Sequence, residues 1–428
     1  MNPEHEILAI HGGPRMIGRN FKAFNSIGRK ETKAAKKVLK SGVLSKFLGT
    51  WHEDFYGGPR VLEFEALCSE YFGVKYAITV NSWTSGLIAA VGAIGIEPGD
   101  EVIVSTWTMS ASAMAILHWG GIPIFADIDS KSFCMAPETI EKMISPRTKA
   151  IVSIDIFGNS ANAASIMELA ARHNLKVISD TAQSPGALFQ GKKAGTLTHI
   201  GGISLNYHKH IHTGEGGVLF TDDDELARRM QLIRNHAESV VSGMNYTNLN
   251  NMVGFNFRMG EIEAAIGIEQ IKKLDSIIKK KQALANALSL ELLELEGLEC
   301  PKIQVNLEHV YYVYPMILNT KLLGVSRKRI VEALRGEGIP GLVEGYVNVH
   351  RLPIFQKMQA FGTTGFPWSL HPLNIRPDYS IGTCPIAEKL HDETYLAFAI
   401  TGLDLSLKDI KLIGSAFRKV WNNLVSLN

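Results

Sequence analysis

The chain has 428 residues, 46% of them hydrophobic and 20% charged, a globular balance whose length favours two or more domains over one. Forty-four basic against 42 acidic residues leave a net charge of +2, which offers no electrostatic footprint for nucleic acid. No apolar run nears the roughly 20 residues that cross a bilayer, and Cys68, Cys134, Cys300 and Cys384 form no CxxC pair, which speaks against a zinc site or a disulfide frame.

In chain order, Met1-Asn2-Pro3-Glu4-His5-Glu6 lacks the basic start and apolar stretch of a signal peptide, so cytoplasm is the expected location. The early lysines (Lys33, Lys36, Lys37, Lys40) and the later run Lys279-Lys280-Lys281 are expected on solvated helix faces. From Val74 to Phe220 short β-rich runs alternate with helical stretches. The predicted strands are Tyr76–Val80, Glu101–Ser105, Ile122–Asp127, Ala150–Asp155, Lys176–Asp180, Gly201–Leu205 and Gly217–Thr221. Helices are expected at Ser85–Ile94, Ser110–Trp119 and Ala161–His173. This alternation predicts an α/β fold with a mainly parallel mixed sheet flanked by helices, and ligands in such sheets sit beyond the carboxyl ends of the strands.

A helical pattern then runs from about Met259 to Leu295, with apolar residues three or four apart. It is expected to lead out of a large domain (residues 1–270, N-terminal segment included) into a smaller C-terminal α+β domain (271–428). There a strand is predicted at Val310–Leu318 and helices at Ser326–Glu337 and Lys408–Leu424. The segment Arg351–Pro385, rich in Gly, Pro and aromatics, reads as a long ordered loop with a binding role or a shielding one.

Four strand ends carry the candidate chemistry. Lys209 follows a strand in Ser204-Leu-Asn-Tyr-His-Lys209-His-Ile-His-Thr-Gly214-Glu-Gly-Gly217, where burial would make it nucleophilic toward an aldehyde. Asp180 closes a strand and could hold a protonated pyridine nitrogen, although an Asp there also caps helices. Asn81-Ser82-Trp83-Thr84-Ser85 joins a strand to a helix whose first amides, with the Thr84 hydroxyl, form a phosphate cradle or an ordinary cap. Trp107 follows another strand and could stack on a ring, or simply fill the core. Singly each has a bland explanation. Together, in this order, they are the layout of a fold-type I enzyme of pyridoxal 5′-phosphate (PLP).

Within that fold the chain resembles the DegT/DnrJ/EryC1/StrS family of sugar aminotransferases from about Ile27 to Leu424. The matching stretches are Ser41-Gly-Val-Leu-Ser45, Phe64-Glu65, Pro98-Gly-Asp-Glu-Val-Ile-Val104, Asp180-Thr-Ala-Gln183, Gly191-Lys-Lys-Ala-Gly195, Lys209 before Thr213-Gly-Glu-Gly-Gly217, and Gly254-Phe-Asn-Phe-Arg-Met259. The resemblance implies that Lys209 holds PLP as a Schiff base and shuttles protons, that Asp180 pairs with the ring nitrogen, and that Gln183 lies near the ring hydroxyl. Thr84, Ser204 and the backbone amide of Trp83 would bind phosphate, and Trp107 would stack. Asn256 would reach the phosphate of a neighbouring subunit, which implies a homodimer with shared sites.

The implied reaction moves an amine from glutamate or glutamine to a keto group of a nucleotide-linked deoxysugar; a cyclitol ketone is the alternative substrate, and a non-catalytic PLP-binding regulator a third reading. Some relatives carry histidine at the lysine position and remove a hydroxyl instead, but the register here places Lys209, not His208 or His210, at that position. His208, His210 and His212 are read as substrate or phosphate contacts rather than metal ligands. Trp368 and Arg376, with Phe366, His371 and Tyr379, offer flat surfaces and a cation for a sugar or base ring and a diphosphate. The chain departs from the family at Ser82-Trp83-Thr84, where Ser-Gly-Thr is usual and the tryptophan's bulk is expected near the substrate pocket. It departs also at Asp155-Ile-Phe-Gly158, where many members have His-x-x-Gly, in the Phe47–Pro59 stretch, and in Arg351–Pro385.

Overall fold

Seven short strands, nearly all of their residues buried, form the central sheet: Tyr76–Val80 (β1), Glu101–Ser105 (β2), Ile122–Ala126 (β3), Thr148–Ile154 (β4), Lys176–Asp180 (β5), Ile200–Ser204 (β6) and Gly217–Thr221 (β7). Strands covered on both faces need apolar side chains on both, which explains their valine- and isoleucine-rich runs. The computed structural model describes residues 7–427. In it the strand order is β1-β7-β6-β5-β4-β2-β3. β6, β5, β4, β2 and β3 run parallel, and β7 lies antiparallel between β6 and β1. The carboxyl ends of β2, β4, β5 and β6 therefore open on one side, where Trp107, Asp180, Ser204 and Lys209 follow or close their strands.

A second, antiparallel sheet follows in the C-terminal part: Leu298–Glu299 (β8), Tyr314–Leu318 (β9), Leu342–Glu344 (β10) and Tyr395–Phe398 (β11), ordered β8-β9-β11-β10. It shares a core with the helices Leu274–Leu292, Arg327–Gly336 and Leu407–Trp421 through Leu288, Tyr314, Leu334, Phe398, Ile413 and Phe417. Ser406 starts the last of these helices with a reciprocal cap, its hydroxyl accepting from the Asp409 amide while the Asp409 carboxylate takes the Ser406 amide.

The structure departs from the sequence expectations in three places. The long helix is two, Glu261–Ile271 and Leu274–Leu292. Their junction is pinned by buried Gln270, which bonds Ser26 and Glu31, and by Lys273, which pairs with Glu31. Lys281 is not on a solvated face. It is fully buried, and its ammonium donates to the carbonyls of Ile400, Thr401 and Leu403. The N-terminal segment packs on the C-terminal unit, not on the large one. Leu8 and Ile17 enter its core, and the buried Glu337 carboxylate accepts from the amides of Ala9 and Met16 while pairing with Lys419 at 2.9 Å.

Arg351–Pro385, expected as an ordered loop that either binds or shields, takes the shielding place: it is a strap along the edge of the central sheet. It starts near the carboxyl ends, where the Val349 amide donates to Thr106, and reaches the opposite end, where His371 bonds the Gly99 carbonyl just before β2. On the way back the Tyr379 hydroxyl donates to the outward-facing Pro123 carbonyl of β3 at 2.7 Å. The Asp127 carboxylate then receives the amides of Ile386 and Ala387. An edge strand presents unpaired backbone groups that invite another chain, and this strap covers them.

Candidate active site

Asp180 ends β5 with its carboxylate buried, and in the sheet register it pairs with Gly202 of β6. Three donors hold it: the Trp83 indole N–H to Oδ1 at 2.7 Å, the Ser112 hydroxyl to Oδ2 at 2.7 Å, and the Ala182 amide to Oδ1 at 3.2 Å. The turn that follows is braced from β4. Thr181 donates to the Asp155 carboxylate at 2.7 Å, as does the Ala161 amide at 2.8 Å, and burial pushes the Asp155 carboxyl up to about 6. Gln183 is fixed at both ends, accepting from the Phe157 amide at 2.9 Å and donating to the Tyr346 hydroxyl at 3.0 Å.

Lys209 lies just past β6, in a turn whose backbone closes on the Asn206 carbonyl at 3.0 Å. Its side chain is almost wholly buried, and burial lowers its ammonium from the usual 10.5 to about 8, with the Asp180 carboxylate pulling part of the way back. The ammonium stands 4.6 Å from the centre of the Tyr312 ring and has no hydrogen-bond partner among the described residues. A lysine in this state is partly neutral near physiological pH, as a nucleophile toward a carbonyl must be.

The helix Trp83–Ala93 begins at the carboxyl end of β1, capped by Ser82, whose hydroxyl accepts from the Ser85 amide at 3.1 Å. That cap leaves the amides of Trp83 and Thr84 and the exposed Thr84 hydroxyl without partners among the described residues. Free amides at a helix start favour an anion. A desolvated lysine, a buried carboxylate and an open anion cradle on one side of one sheet are what an aldehyde-bearing pyridine phosphate requires, so the residues present fit PLP.

The likenesses to known proteins agree with this arrangement. The family described as DegT/DnrJ/EryC1/StrS aminotransferases matches residues 26–370. The chain belongs to that family. It is 34% identical over 324 residues to the GDP-perosamine synthase of Caulobacter vibrioides, covering 76% of this chain and 79% of that protein. It is 28% identical over 424 residues to the L-glutamine:scyllo-inosose aminotransferase of Streptomyces griseus, covering 97% of this chain and 98% of that one. The fold matches an aminotransferase structure from Psychrobacter cryohalolentis with a TM-score of 0.80 at 28% identity, over 95% of this chain and 100% of that one. The protein is thus a PLP-dependent aminotransferase of fold type I.

In this aminotransferase some expected contacts are sealed off. A side chain with no accessible surface has none to offer a ligand, and Trp107, His210 and Trp368 are each 0% exposed. Trp107 stacks on Phe133, meets Phe157, Tyr346 and Tyr395 edge-on, and donates its indole N–H to Asn348. The stacking role expected of it is therefore corrected to core packing. The residue that β2 leaves open is Met109, 59% exposed, whose carbonyl neighbours the Ser112 hydroxyl. His210 donates from its Nε2 to the Val310 carbonyl inside the protein, so it is no substrate contact, whereas His208 stays exposed beside Tyr312.

Trp368 and Arg376 are corrected as well. Trp368 bonds Tyr379 within the strap, and Arg376 bonds the His371 carbonyl at the end of the sheet opposite Lys209. Their residue types suit a sugar, but their place in the fold does not. Nor does the Trp83 ring enter a substrate pocket, since it is buried on the sheet against Gly202. Ser204 lies buried at the end of β6, its hydroxyl accepting from the Asn206 amide at 3.3 Å. Asn256 is exposed, its carbonyl accepting from Asn81 beside the cradle and its side-chain oxygen from Arg258. Ser112, Tyr312 and Tyr346 were not singled out by sequence. Each is a common residue in an unremarkable context, and only the folded chain brings it to Asp180, Lys209 or Gln183.

Proposed function

We propose that this aminotransferase transfers an amino group from glutamate or glutamine to a keto group of a nucleotide-linked deoxysugar, in the cytoplasm and as a homodimer. The observation that carries the reading is the buried Lys209, lowered to about 8 and coupled to the buried Asp180 carboxylate. The relative that makes a GDP-linked amino sugar supports the substrate class. Bound PLP supplies an aldehyde for the lysine and an electron-poor ring that stabilises negative charge on the reacting carbon.

The chain's own residues supply the rest. Lys209 would move the proton between the donor's α-carbon and the cofactor, a task suited to an amine titrating near neutrality. Asp180, fixed by its three donors, keeps the ring nitrogen protonated by charge attraction. The Trp83 and Thr84 amides, with the hydroxyls of Thr84 and Ser204, hold the phosphate. Gln183, braced by Phe157 and Tyr346, would meet the ring's hydroxyl. In the second subunit Asn256 completes the cradle. The exposed apolar residues Val43, Leu44, Leu48, Trp51, Leu249 and Val253 support such a partner contact, for Trp51 packs beside Gly243 and Leu48 bonds Asn235, joining both segments in one surface near Asn256.

A second reading, a cyclitol ketone with glutamine as donor, is favoured by the scyllo-inosose relative, whose match spans 97% of the chain, strap included. Half-reactions separate the two. The purified protein should be yellow, and glutamate or glutamine should bleach it; a nucleotide-linked keto sugar or an inosose should then restore the colour. If neither amino donor bleaches the wild-type protein, the transaminase reading fails. For the shared site, mixing inactive Lys209→Ala protein with an inactive Asn256 variant under subunit exchange should recover part of the activity, and a fully active monomer in sedimentation would refute it.

A further inference from the structure

Trp83 occupies a place that its neighbours have been shaped to receive. Its ring lies where side chains at two glycines would be: a Cβ at Gly86 would stand 2.8 Å from it, and one at Gly202 would fall within its van der Waals shell. A third glycine, Gly217 of β7, lets the strand approach the Trp83 backbone, where a Cβ would stand 3.0 Å from its amide nitrogen. Gly202 is also the register partner of Asp180, so the bare strand position brings the indole alongside that carboxylate. The ring cannot turn away without meeting the sheet, and its N–H points at Asp180 Oδ1 from 2.7 Å in a buried setting.

Packing alone does not require this residue. A phenyl ring would fill an apolar slot, and what the indole adds is one N–H that only donates. From Trp83 and the Ser112 hydroxyl, one to each oxygen, the carboxylate receives two side-chain donors that cannot follow it if it rotates. Ser112 is itself held by the Thr108 hydroxyl at 2.8 Å. Such donors do two things to a carboxylate. They fix its plane, and they draw off negative charge, which weakens its hold on a further proton-bearing partner.

We infer that Trp83 is a positioning residue for Asp180, which sets the orientation of that carboxylate and tempers the charge it presents to the cofactor's ring nitrogen. This rests on the PLP reading above and goes beyond the cradle role of the Trp83 backbone amide. The consequence has a definite sign. Removing the indole donor leaves Asp180 more negative, so protonated forms of the bound cofactor are favoured and its visible absorption titrates at higher pH.

The test compares wild type with Trp83→Phe and with Trp83 replaced by benzothienylalanine, which keeps the bicyclic shape and puts sulfur where the N–H was. Each is loaded with PLP and its absorption titrated with pH, and apo protein carrying ¹⁵N-labelled tryptophan is examined by NMR. Both variants should titrate about one pH unit above wild type, and Asp180→Asn should move the Trp83 indole N–H resonance in the apo protein. If the benzothienyl protein titrates within about 0.2 unit of wild type, packing and not the hydrogen bond is what Trp83 supplies, and the inference is overturned. It is overturned equally if only Trp83→Phe shifts, or if Asp180→Asn leaves the indole resonance in place. Wild-type protein that takes up no PLP at all would instead refute the functional reading, an outcome seen before any variant is made.

Discussion

Lys209 gives the sharpest quantitative expectation. Burial takes its ammonium from 10.5 to about 8, a drop that at 1.36 kcal/mol per pH unit corresponds to ~3 kcal/mol between its two protonation states. At pH 7 the neutral fraction is then about one in ten, some 300-fold above that of a solvated lysine. Competitive acetylation of the apo protein, followed peptide by peptide in mass spectrometry, reads this directly. The Lys209 labelling curve should have its midpoint near 8, and in Asp180→Asn the midpoint should fall further, because the carboxylate is the charge that favours the ammonium. A midpoint above about 9.5, or no movement in Asp180→Asn, would refute the reasoning.

The same displacement affects stability, with a sign that can be worked out. Between pH 8 and 10.5 the unfolded chain binds more protons at this lysine than the folded one, so its contribution to stability rises with pH across that window. Below pH 8 the whole cost of burying the amine is present. Lys209→Met should therefore stabilise the apo protein at pH 7 by up to about 3 kcal/mol, and the gain should vanish as pH approaches 10.5. Chemical denaturation of both proteins across that range checks it, and a gain independent of pH would point to packing instead.

Other consequences follow from the remaining contacts. Asp180→Asn should lower the rate of bleaching by glutamate by orders of magnitude while leaving the fold intact, as measured by stopped-flow absorption and thermal unfolding. Trp368→Ala, at a fully buried position in the strap, should cost about 3–5 kcal/mol of stability and slow the amino-donor and keto-substrate half-reactions alike. A selective loss in the keto-substrate half would restore a substrate role to the strap. Lys419→Met leaves the Glu337 carboxylate buried without its cation and should destabilise by about 3–5 kcal/mol in urea unfolding.

The positions of Lys209, Asp180 and the Ser82–Thr84 turn were legible in the sequence because each follows a short apolar run, and in a parallel sheet the end of such a run fixes the side on which the next residue emerges. Periodicity also located the seven main strands to within a residue or two. It did not show that Trp107 lies in the core while Met109 stands open, for two residues at a strand end differ only in how the chain turns there. Nor could aromatic content distinguish a ring that binds sugar from one that seals a sheet edge. Trp368, Tyr379 and Phe355 do the second, and the carbonyl of Pro123 that one of them bonds is invisible until the edge is known to be β3.

The corrected placements narrow where substrate choice is made. With the strap at the far edge, the side chains left near the site come from three sources: Met109 after β2 beside Ser112, Tyr207 and His208 before the lysine, and Tyr312 and Tyr346 from the C-terminal unit, the first against Lys209 and the second against Gln183. Burial keeps both of the latter phenols protonated, Tyr346 up to about 12 and Tyr312 higher, so they present neutral donors rather than charge. His208, lowered to about 4 by shielding and by Lys209's own charge, is neutral as well. A wall of neutral aromatic and thioether groups suits the apolar face and hydroxyls of a sugar or cyclitol ring. Among these described residues Lys209 is the one cation, and the chemistry uses it; beyond them Arg258 stands beside Asn256, whose carbonyl meets Asn81 next to the cradle.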